Sequence, residues 1–363
     1  MSHADRRAKL RRIAKKQGVE GVLVTNFVNV TYLTGFTGDD SYLLLAVDGP
    51  DVLISDRRYS QQLEQECPEL ELAIRGPGST ILQSVDKAVA AARLGRLAIE
   101  AGSMTVRMHA ALEKKLAKCE IVAADDLVEQ LRVVKDRTEI EATRRACRMA
   151  RRAFEVVRAQ LTPEMTELEV ANQLEFHTRR FGGKGLAFPP IVGVGPRAAL
   201  PHGSPTPKRI GESGFTLIDW GANEGLYLSD LTRILVTAKI SPKLRKLYGV
   251  VLKAQQAGID AIRPGATCES VDQAARSVIA DAGYGKKFGH GLGHGIGLEI
   301  HEAPRVSQGQ KTVLGAGMIV TVEPGVYLPG WGGIRIVDDV LVTRVGYEVL
   351  TDVPKQLEEC MVG

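Results

Sequence analysis

The order of strand-like and helical segments changes once along the chain, near residue 130, and this change limits the possible folds. Before it, short apolar runs alternate with helical patterns; for example, a strand over 96–100 leads into a helix over 105–118. Such alternation is typical of an α/β domain with a mixed or parallel sheet. The chain has 363 residues, whereas single hydrophobic cores stop growing at about 250–300 residues. We therefore predict two domains, 1–130 and 131–363.

The second part of the chain shows the same order of elements twice. A long amphipathic helix over 135–161 is followed by a helix over about 166–181 and then by strand-like segments. Two more helices, about 242–262 and 267–282, are again followed by strands. This order predicts an α+β domain built from two similar halves, although no residue-level repeat is apparent.

The composition argues against several classes of function. A hydrophobic content of 44% and a charged content of 25% are those of an ordinary soluble globular protein. The formal net charge is only +4, and much of the basic excess lies in "ADRRAKLRRIAKKQG" at 4–18. Because no aromatic residues are interleaved, this segment favours the solvated face of a helix over a nucleic-acid surface. We expect no nucleic-acid partner.

The cysteines and the N-terminus indicate the cellular compartment of the protein. The five cysteines are widely spaced and form no C-x-x-C pair, which argues against a disulfide framework and indicates a reducing environment. The N-terminus lacks the apolar core of a secretory signal, and no segment approaches the length of apolar sequence that spans a membrane. These features predict a cytoplasmic protein that does not act in a membrane.

The segment "GHGLGHGIGLEIHE", residues 289–302, holds three of the seven histidines and five glycines. Glycine loses more conformational entropy on folding than other residues, so such a run indicates close backbone approach or unusual dihedrals. The simpler interpretation is a glycine-rich surface loop with incidental histidines. The functional interpretation is a metal or proton-transfer site, which requires carboxylates from elsewhere in the chain.

Two aspartates in "LIDWGANEGLYLSDLTR" are candidates for those carboxylates. A two-residue hairpin turn at Glu224-Gly225 would place Asp219 directly opposite Asp230. Directly opposed side chains have Cβ atoms about 4.5–5.5 Å apart, and like charges there destabilise a sheet. A shared proton, a basic side chain or a cation would relieve this repulsion. The alternative is that the pair is solvated at the strand ends.

A second hairpin contributes a glutamate. Glu323 directly precedes Pro324, which cannot donate to a ladder and marks a strand end. A turn centred near Gly330 would place position 337 opposite Glu323. Two aspartates, a histidine and this glutamate would form an oxygen-rich site suited to manganese, cobalt, zinc or iron(II). With open coordination positions, such a metal lowers the pKa of water and polarises a carbonyl.

Five motifs in this order resemble those of the pita-bread metallopeptidases, which include methionine aminopeptidase, Xaa-Pro aminopeptidase and prolidase. "IDWGANEGLYLSDLTR", "GHGLGHGIGLEIHE", "TVEPG" and "GGIRI" match family signatures, and "FPPIVGVGPRAALPHGSPTP" resembles the segment that carries the first active-site histidine. The N-terminal "VLVTNFVNVTYLTGFTG" and "ISDRRY" resemble the accessory domain of the proline-specific members and of creatinase. The resemblance therefore implies a creatinase-like α/β domain over 1–130 and a pita-bread catalytic domain over 131–363.

The resemblance also implies an activity and the residues that carry it. The activity is that of a metal-dependent exopeptidase acting on Xaa-Pro bonds at peptide N-termini or in dipeptides, with one or two divalent metals per chain and manganese as the first candidate. The substrate is a proline-containing peptide, and the assembly is a homodimer. The implied metal ligands are Asp219, Asp230, His294 and Glu323. The implied substrate-positioning and proton-transfer residues are His202, His290, His301 and Arg335, with Glu323 also the base.

The chain departs from the family pattern at one position. Where the family has I-E-D after the arginine, this chain has "RIVDD", so Val337 replaces a glutamate that bridges two metals. Because side chains alternate along a strand, Asp338 should face away from the ligands and Asp339 should return to their side. Asp339 lies about 6–7 Å further along the strand than residue 337, which predicts that it is too distant to take the place of the glutamate.

This departure leaves several interpretations open. One metal held by Asp230, His294 and Glu323 could support hydrolysis, or two metals could bind weakly with poor activity. Alternatively, the domain could have lost catalysis and bind peptide-like ligands. A metal-independent carbon–nitrogen hydrolase, such as creatinase, is a further possibility on this fold, but that class typically lacks the aspartate pair and the ligand histidine.

Overall fold

The computed structural model describes residues 1–362. The chain divides into two compact units, Met1–Arg132 and Val133–Gly363. Within the described residues, none of the helices combines the length and the apolar character needed to cross a membrane.

The first unit is a six-stranded sheet flanked by helices, in the order β4-β3-β2-β1-β5-β6. The parallel pairs are β1 with β5, β5 with β6 and β3 with β4, whereas β2 runs antiparallel to both its neighbours, so the predicted mixed sheet is confirmed. Its strands are β1 (Gly21–Val24), β2 (Tyr42–Ala46), β3 (Asp51–Asp56), β4 (Glu71–Arg75), β5 (Arg96–Glu100) and β6 (Glu120–Ala124). Its helices are α1 (His3–Lys16), α2 (Phe27–Thr34), α3 (Ser60–Glu66), α4 (Ile81–Ala91), α5 (Val106–Lys115) and α6 (Glu129–Arg132).

The basic N-terminal segment forms α1, but the prediction that its basic residues form a solvated face is wrong for two of them. Arg6 and Arg7 are buried. Their guanidinium groups donate to the carbonyl oxygens of Tyr32 and Leu33, near the end of α2, where helical carbonyls lack intrahelical partners. Arg7 also forms an ion pair with Asp51 at 2.8 Å. The charge in this segment therefore partly stabilises the first unit.

The second unit contains two helix pairs, each followed by strands, as the sequence predicts. Its helices are α7 (Arg137–Gln160), α8 (Glu167–Arg180), α9 (Pro242–Ala261) and α10 (Cys268–Asp281). Its strands are β7 (Gly185–Leu186), β8 (Ile191–Val194), β9 (Phe215–Trp220), β10 (Ala222–Asn223), β11 (Leu231–Val236), β12 (Gly293–Gly295), β13 (Glu302–Val306), β14 (Ile319–Val322), β15 (Gly325–Leu328), β16 (Gly332–Arg335), β17 (Asp338–Val342) and β18 (Tyr347–Val349).

The helix pairs cover two larger sheets. The first sheet has the order β11-β9-β8 and the second has the order β13-β12-β14-β17-β18. Phe154 of α7 stacks on Trp220 of β9 with ring centroids 4.3 Å apart, and the Trp220 indole donates to the carbonyl of Ala150. This contact fixes the end of β9, next to Asp219.

The register of the first hairpin differs from the prediction. Asp219 lies opposite Thr232 rather than Asp230, because the turn spans Glu224–Tyr227 and the Glu224 amide donates to the Tyr227 carbonyl. Gly225 has φ of +128° in this turn, a conformation that side chains disfavour. The pairing is displaced by two residues, which preserves alternation, so Asp219 and Asp230 still lie on one face of the hairpin.

The second hairpin has the predicted register. Both β15–β16 (Gly325 opposite Arg335) and β14–β17 (Val322 opposite Asp338) are symmetric about Gly330. Glu323 and Val337 are therefore at corresponding positions between the two ladders. Val337 instead pairs with Thr232 of the first hairpin, and its amide donates to the Thr232 carbonyl at 3.3 Å. The two hairpins meet at this point, where the candidate ligands lie.

Candidate active site

Three of the predicted ligands lie close together. His294 Nε2 lies 3.7 Å from Asp230 Oδ2 and 3.4 Å from Glu323 Oε1. The side chains of Asp230, His294 and Glu323 are 10%, 12% and 20% exposed, so they are largely removed from water. Asp230 lies just before β11 in the first hairpin, His294 lies in β12, and Glu323 lies between β14 and β15. The structure thus brings the glycine–histidine segment and both hairpins to one place.

The hydrogen bonds of His294 indicate which ring nitrogen is protonated. Its Nδ1 lies 3.0 Å from the carbonyl oxygen of Gly295, which can only accept, so Nδ1 carries the proton. Burial, opposed in part by that hydrogen bond, lowers the pKa of His294 to about 4, which keeps the ring neutral at pH 7. The lone pair of Nε2 therefore faces two carboxylate oxygens. This arrangement is unfavourable without a proton or a cation between the three groups.

The fourth predicted ligand is held by an arginine. Asp219 Oδ2 accepts a hydrogen bond from Arg335 Nη2, and Arg335 Nε donates to Thr232 Oγ1 at 3.2 Å. The other oxygen, Asp219 Oδ1, is buried and has no hydrogen-bond partner within residues 1–362. Asp219 therefore keeps one oxygen available for a further positive group.

The electrostatics of the site also favour a cation. Burial raises the pKa of Asp230 well above its usual range, and the neighbouring carboxylates of Asp219, Glu323 and Asp339 raise it further. Burial raises the pKa of Glu323 to about 8, although the charge of Arg335 acts in the opposite direction. A divalent cation would favour the ionised form of both carboxylates.

The donor set fits a divalent metal. Two ligands bonded to one tetrahedral metal at about 2.0–2.2 Å lie about 3.3–3.6 Å apart. The 3.4 Å separation of His294 from Glu323 falls in this range, and the 3.7 Å separation from Asp230 lies just above it. Because no three Asp, Glu, His or Cys side chains within residues 1–362 form a complete metal cluster, the fit depends on these two pairs and on the chemistry of the donors.

A chain of hydrogen bonds connects Arg335 to a second histidine. Arg335 Nη1 donates to the hydroxyl of Tyr327 at 2.9 Å, and this hydroxyl lies 3.0 Å from His290 Nε2. His290 Nδ1 lies 2.8 Å from the Gly291 carbonyl and therefore carries the proton, so Tyr327 donates to Nε2. Burial lowers the pKa of His290 to about 4. The sequence analysis did not identify Tyr327, because a single tyrosine on a hairpin strand belongs to no motif or spacing pattern that indicates a function.

The two remaining predicted histidines lie at the exposed side of this group. The His301 ring packs edge-to-face on His294 with centroids 4.5 Å apart and is itself exposed. His202 is also exposed. His202 directly follows Pro201, whose carbonyl accepts a hydrogen bond from Arg335 Nη1 at 3.2 Å. Partial burial lowers the pKa of His301, and the charge of His202 acts in the same direction. Their position suits contact with a molecule entering from solvent.

The glycines of the 289–302 segment allow strands to approach closely. A Cβ atom at Gly293 would overlap the carbonyl oxygen of Thr321 in β14, and one at Gly295 would overlap that of Ala303 in β13. These glycines belong to β12, which is an interior strand of the five-stranded sheet. The interpretation as a surface loop is therefore wrong for this part of the segment.

Two ion pairs hold the loops on either side of β12, and sequence reasoning missed both. Before β12, Arg276 of α10 donates to the His290 carbonyl at 2.7 Å and pairs with Asp272. After β12, the buried Lys135 pairs with Glu302 at 2.9 Å. Glu302 also accepts hydrogen bonds from the amides of Leu298 and Glu299. These contacts hold the backbone near His290 and His301. Such ion pairs cannot be predicted from local sequence patterns when the partners are distant along the chain, as Lys135 and Glu302 are.

The residues after Arg335 alternate as predicted. The side chain of Val337 is buried and provides no ligand. Asp338 faces away from the site and forms ion pairs with Arg233 and Lys355, both at 2.6 Å. Asp339 returns to the ligand side, where its Oδ2 accepts a hydrogen bond from the Asp230 amide at 2.9 Å. Asp339 thus reaches the backbone of a candidate ligand, which the sequence did not predict.

Comparisons with known proteins identify the family. The model of the metallopeptidase family M24 matches residues 141–344, and that of the creatinase/prolidase N-terminal domain matches residues 6–134. The chain belongs to metallopeptidase family M24. The predicted pita-bread family and its accessory domain are therefore confirmed, and the chain is a metallopeptidase that depends on a divalent metal.

Individual relatives of this M24 metallopeptidase cover nearly its whole length. The Xaa-Pro dipeptidase from Bacillus anthracis is 38% identical, with a TM-score of 0.94 over 98% of this chain and 99% of that chain. The X-Pro aminopeptidase from Thermotoga maritima is 34% identical, with a TM-score of 0.88 over 95% and 99% of the two chains. The Xaa-Pro dipeptidase of Pyrococcus furiosus is 34% identical over 97% of this chain and 99% of its own length.

Proposed function

We propose that this metallopeptidase hydrolyses Xaa-Pro bonds with one divalent metal held by Asp230, His294 and Glu323. The observation that carries the metal position is the neutral His294 ring, whose Nε2 lone pair faces a carboxylate oxygen on each side. Three protein ligands with open positions are a usual arrangement for a catalytic metal. The peptide specificity is supported by relatives named Xaa-Pro dipeptidase and X-Pro aminopeptidase.

The roles of the surrounding residues follow from their contacts. When bound, the metal supplies Lewis acidity that makes a water molecule a better nucleophile and polarises the scissile carbonyl. Glu323 would accept the proton of the attacking water, because its carboxylate is buried beside Arg335 and is held at the site by Thr321. The buried Arg335 keeps positive charge next to Asp219 and so favours the ionised form of that carboxylate.

The histidines would bind and orient the peptide. The Tyr327 hydroxyl and the Gly291 carbonyl hold His290 in one tautomer, with its ring beside the site. His202 and His301 lie on the exposed side, where they can reach the peptide backbone or deliver a proton to the leaving amine. We propose Xaa-Pro dipeptides as the preferred substrates, because two of the relatives described above carry the name Xaa-Pro dipeptidase.

The number of metals follows from position 337. Valine has no donor atom, so a second metal would be held by Asp219 and Asp230 alone, and Asp219 already pairs with Arg335. We therefore propose one metal per chain, with manganese as the first candidate because the donors are mainly carboxylates.

The decisive test is hydrolysis by chelator-stripped protein to which manganese, cobalt or zinc is returned. The substrates are an Xaa-Pro dipeptide, an Xaa-Pro tripeptide and a matched dipeptide with alanine in place of proline. The proposal predicts metal-dependent cleavage of the proline dipeptide and little cleavage of the alanine control. Cleavage of the tripeptide alone would establish an aminopeptidase instead. Binding of the peptides without cleavage at any metal concentration would contradict the proposed reaction.

The compartment and assembly are separate proposals. All five cysteines are buried free thiols, which supports a reducing environment and hence a cytoplasmic location. A homodimer follows from the family resemblance. Cell fractionation and light scattering of the purified protein test these two proposals.

A further inference from the structure

Two polar residues lie directly opposite each other behind the candidate ligands. Thr321 of β14 and Asp339 of β17 are partners in the antiparallel ladder, and neither has any exposed surface. Opposed residues share one face of a sheet. Because alternation also places Glu323 and position 337 on this face, Thr321 and Asp339 form a layer directly beneath the ligands.

Each member of this pair holds the backbone of a candidate ligand. Thr321 Oγ1 accepts a hydrogen bond from the His294 amide at 3.0 Å, and its hydroxyl lies 3.4 Å from Glu323 Oε1. Asp339 Oδ2 accepts from the Asp230 amide at 2.9 Å. Together the two residues therefore contact all three residues to which the metal is assigned.

Asp230 needs such support more than Asp219 does. Asp219 lies within β9 and is paired on both sides, with Ile191 of β8 and Thr232 of β11. Asp230 precedes the first residue of β11, so its amide lies outside that ladder. The contact with Asp339 therefore fixes the backbone of Asp230 where the sheet does not.

The position of Asp339 is not explained by an ion pair. Within residues 1–362 no salt bridge reaches Asp339, its Oδ1 has no hydrogen-bond partner, and its other contact is the Cys147 thiol of α7 at 3.4 Å. Its neighbour Asp338 has two cationic partners. A buried carboxylate without a cation is costly, which points to a requirement other than stability of the fold.

We infer that Thr321 and Asp339 are a pair of positioning residues that orient Asp230, His294 and Glu323 for the metal. The inference rests on the proposed function, since it needs these three residues to bind the metal. Residues that orient metal ligands typically change metal affinity by about 10–100-fold when they are removed. The effect is exerted through the backbone amides and the Glu323 carboxylate, without direct contact with the substrate.

The test is binding of Mn²⁺ to the chelator-stripped full chain, measured by calorimetry and by the electron paramagnetic resonance spectrum of the bound ion. Asp339→Ala and Thr321→Val remove the acceptors, whereas Asp339→Asn and Thr321→Ser retain them. Val340→Ala, on the opposite face of the same ladder, controls for general loosening. We expect the first two variants to bind Mn²⁺ about 10–100-fold more weakly with an altered spectrum, and the other three to stay within about threefold of the unsubstituted chain.

Several outcomes would overturn the inference. These are unchanged affinity in Asp339→Ala and Thr321→Val, equal weakening in Val340→Ala, or failure of Asn and Ser to preserve binding. Loss of folding in both acceptor-removing variants would also overturn it, because the pair would then serve the fold rather than the site. If the unsubstituted chain binds no Mn²⁺, the proposed function itself fails, which distinguishes that result from failure of the inference alone.

Discussion

Asp338 and Asp339 are adjacent and equally buried, yet their pKa values are shifted in opposite directions. Burial acts to raise the pKa of Asp338, but the cationic groups of Arg233 and Lys355 outweigh it and lower that pKa. For Asp339, burial raises the pKa to about 7, and the hydrogen bonds from the Asp230 amide and Cys147 only partly oppose it. Strand alternation sends one side chain to a cationic network and the other to the candidate site.

The comparison shows that burial alone does not decide the charge of a carboxylate. Asp338 also accepts hydrogen bonds from Thr351 and Gln255, so its network is well satisfied and joins β17 to α9 and the C-terminal segment. Asp339 faces a region already rich in carboxylates. The neighbouring positions therefore separate two tasks, with Asp338 stabilising the fold and Asp339 serving the site.

The largest effect is expected at Glu323, which belongs to the candidate active site. Glu323→Gln removes the group that accepts the proton of the attacking water, and general acid–base groups contribute about 10²–10⁴-fold. We expect kcat/KM for an Xaa-Pro dipeptide to fall by that factor at saturating metal. The protein should remain folded, because the neutral amide relieves the repulsion among buried carboxylates. Loss of less than about tenfold would mean that another residue is the base.

On the structural side, Asp338→Asn should lower stability rather than metal affinity. Removing one partner of a buried ion pair leaves an uncompensated charge and costs about 3–5 kcal/mol. Urea unfolding measures this loss, and calorimetry with Mn²⁺ measures affinity on the same sample. A stable Asp338→Asn protein with weakened metal binding would reverse the assignments of the two aspartates.

The pH dependence of the metal-free protein sharpens the comparison further. The pKa values of Asp339 and Glu323, about 7 and 8, exceed those of the unfolded chain, so folding binds protons and stability falls as pH rises toward 8. His290 and His294, with lowered pKa values of about 4, act in the opposite direction only below about pH 6.5. We therefore expect the melting temperature to fall between about pH 6.5 and 8.

Substitutions identify the groups that cause this fall in melting temperature. Asp339→Asn and Glu323→Gln should each reduce the slope, whereas Arg276→Lys, which lies outside the carboxylate group, should leave it unchanged. Thermal scans of chelator-stripped protein at several pH values measure the slopes. A melting temperature that rises over this range would contradict the sign of both shifts.

The smallest effect is expected at Cys147, whose thiol donates to Asp339. Cys147→Ala removes one weak buried hydrogen bond and should cost about 1 kcal/mol of unfolding free energy. Cys147→Ser retains a donor and should cost less. Mn²⁺ affinity should stay nearly unchanged in both, since the Asp230 amide still binds Asp339. Strong loss of affinity would mean that the thiol itself orients the site.

The opposite orientations of Asp338 and Asp339 could be predicted from the sequence, because they depend on alternation, which is a local property of a strand. The symmetry of the second hairpin about Gly330 was equally accessible, since a glycine and flanking apolar runs mark the turn. The first hairpin was misregistered because its turn is centred on Gly225-Leu226 rather than on Glu224-Gly225. The identity of turn residues does not determine the position of the turn uniquely.

Other features depend on contacts between distant segments. The Lys135–Glu302 pair, the Tyr327 hydroxyl and the burial of Arg6 in α1 all require knowledge of which elements pack together. The reach of Asp339 to the Asp230 amide is of the same kind, because alternation gives the face of a side chain but not the distance to another hairpin. These features became visible only in the structure.

We propose that one metal is held by Asp230, His294 and Glu323, because Val337 removes the donor for a second. The most direct measurement is Mn²⁺ stoichiometry of the chelator-stripped chain beside Val337→Glu, determined by calorimetry and elemental analysis. We expect one ion per unsubstituted chain, with hydrolysis saturating at that ratio, and two ions in Val337→Glu. Two tightly bound ions in the unsubstituted chain, or full hydrolysis without metal, would contradict it.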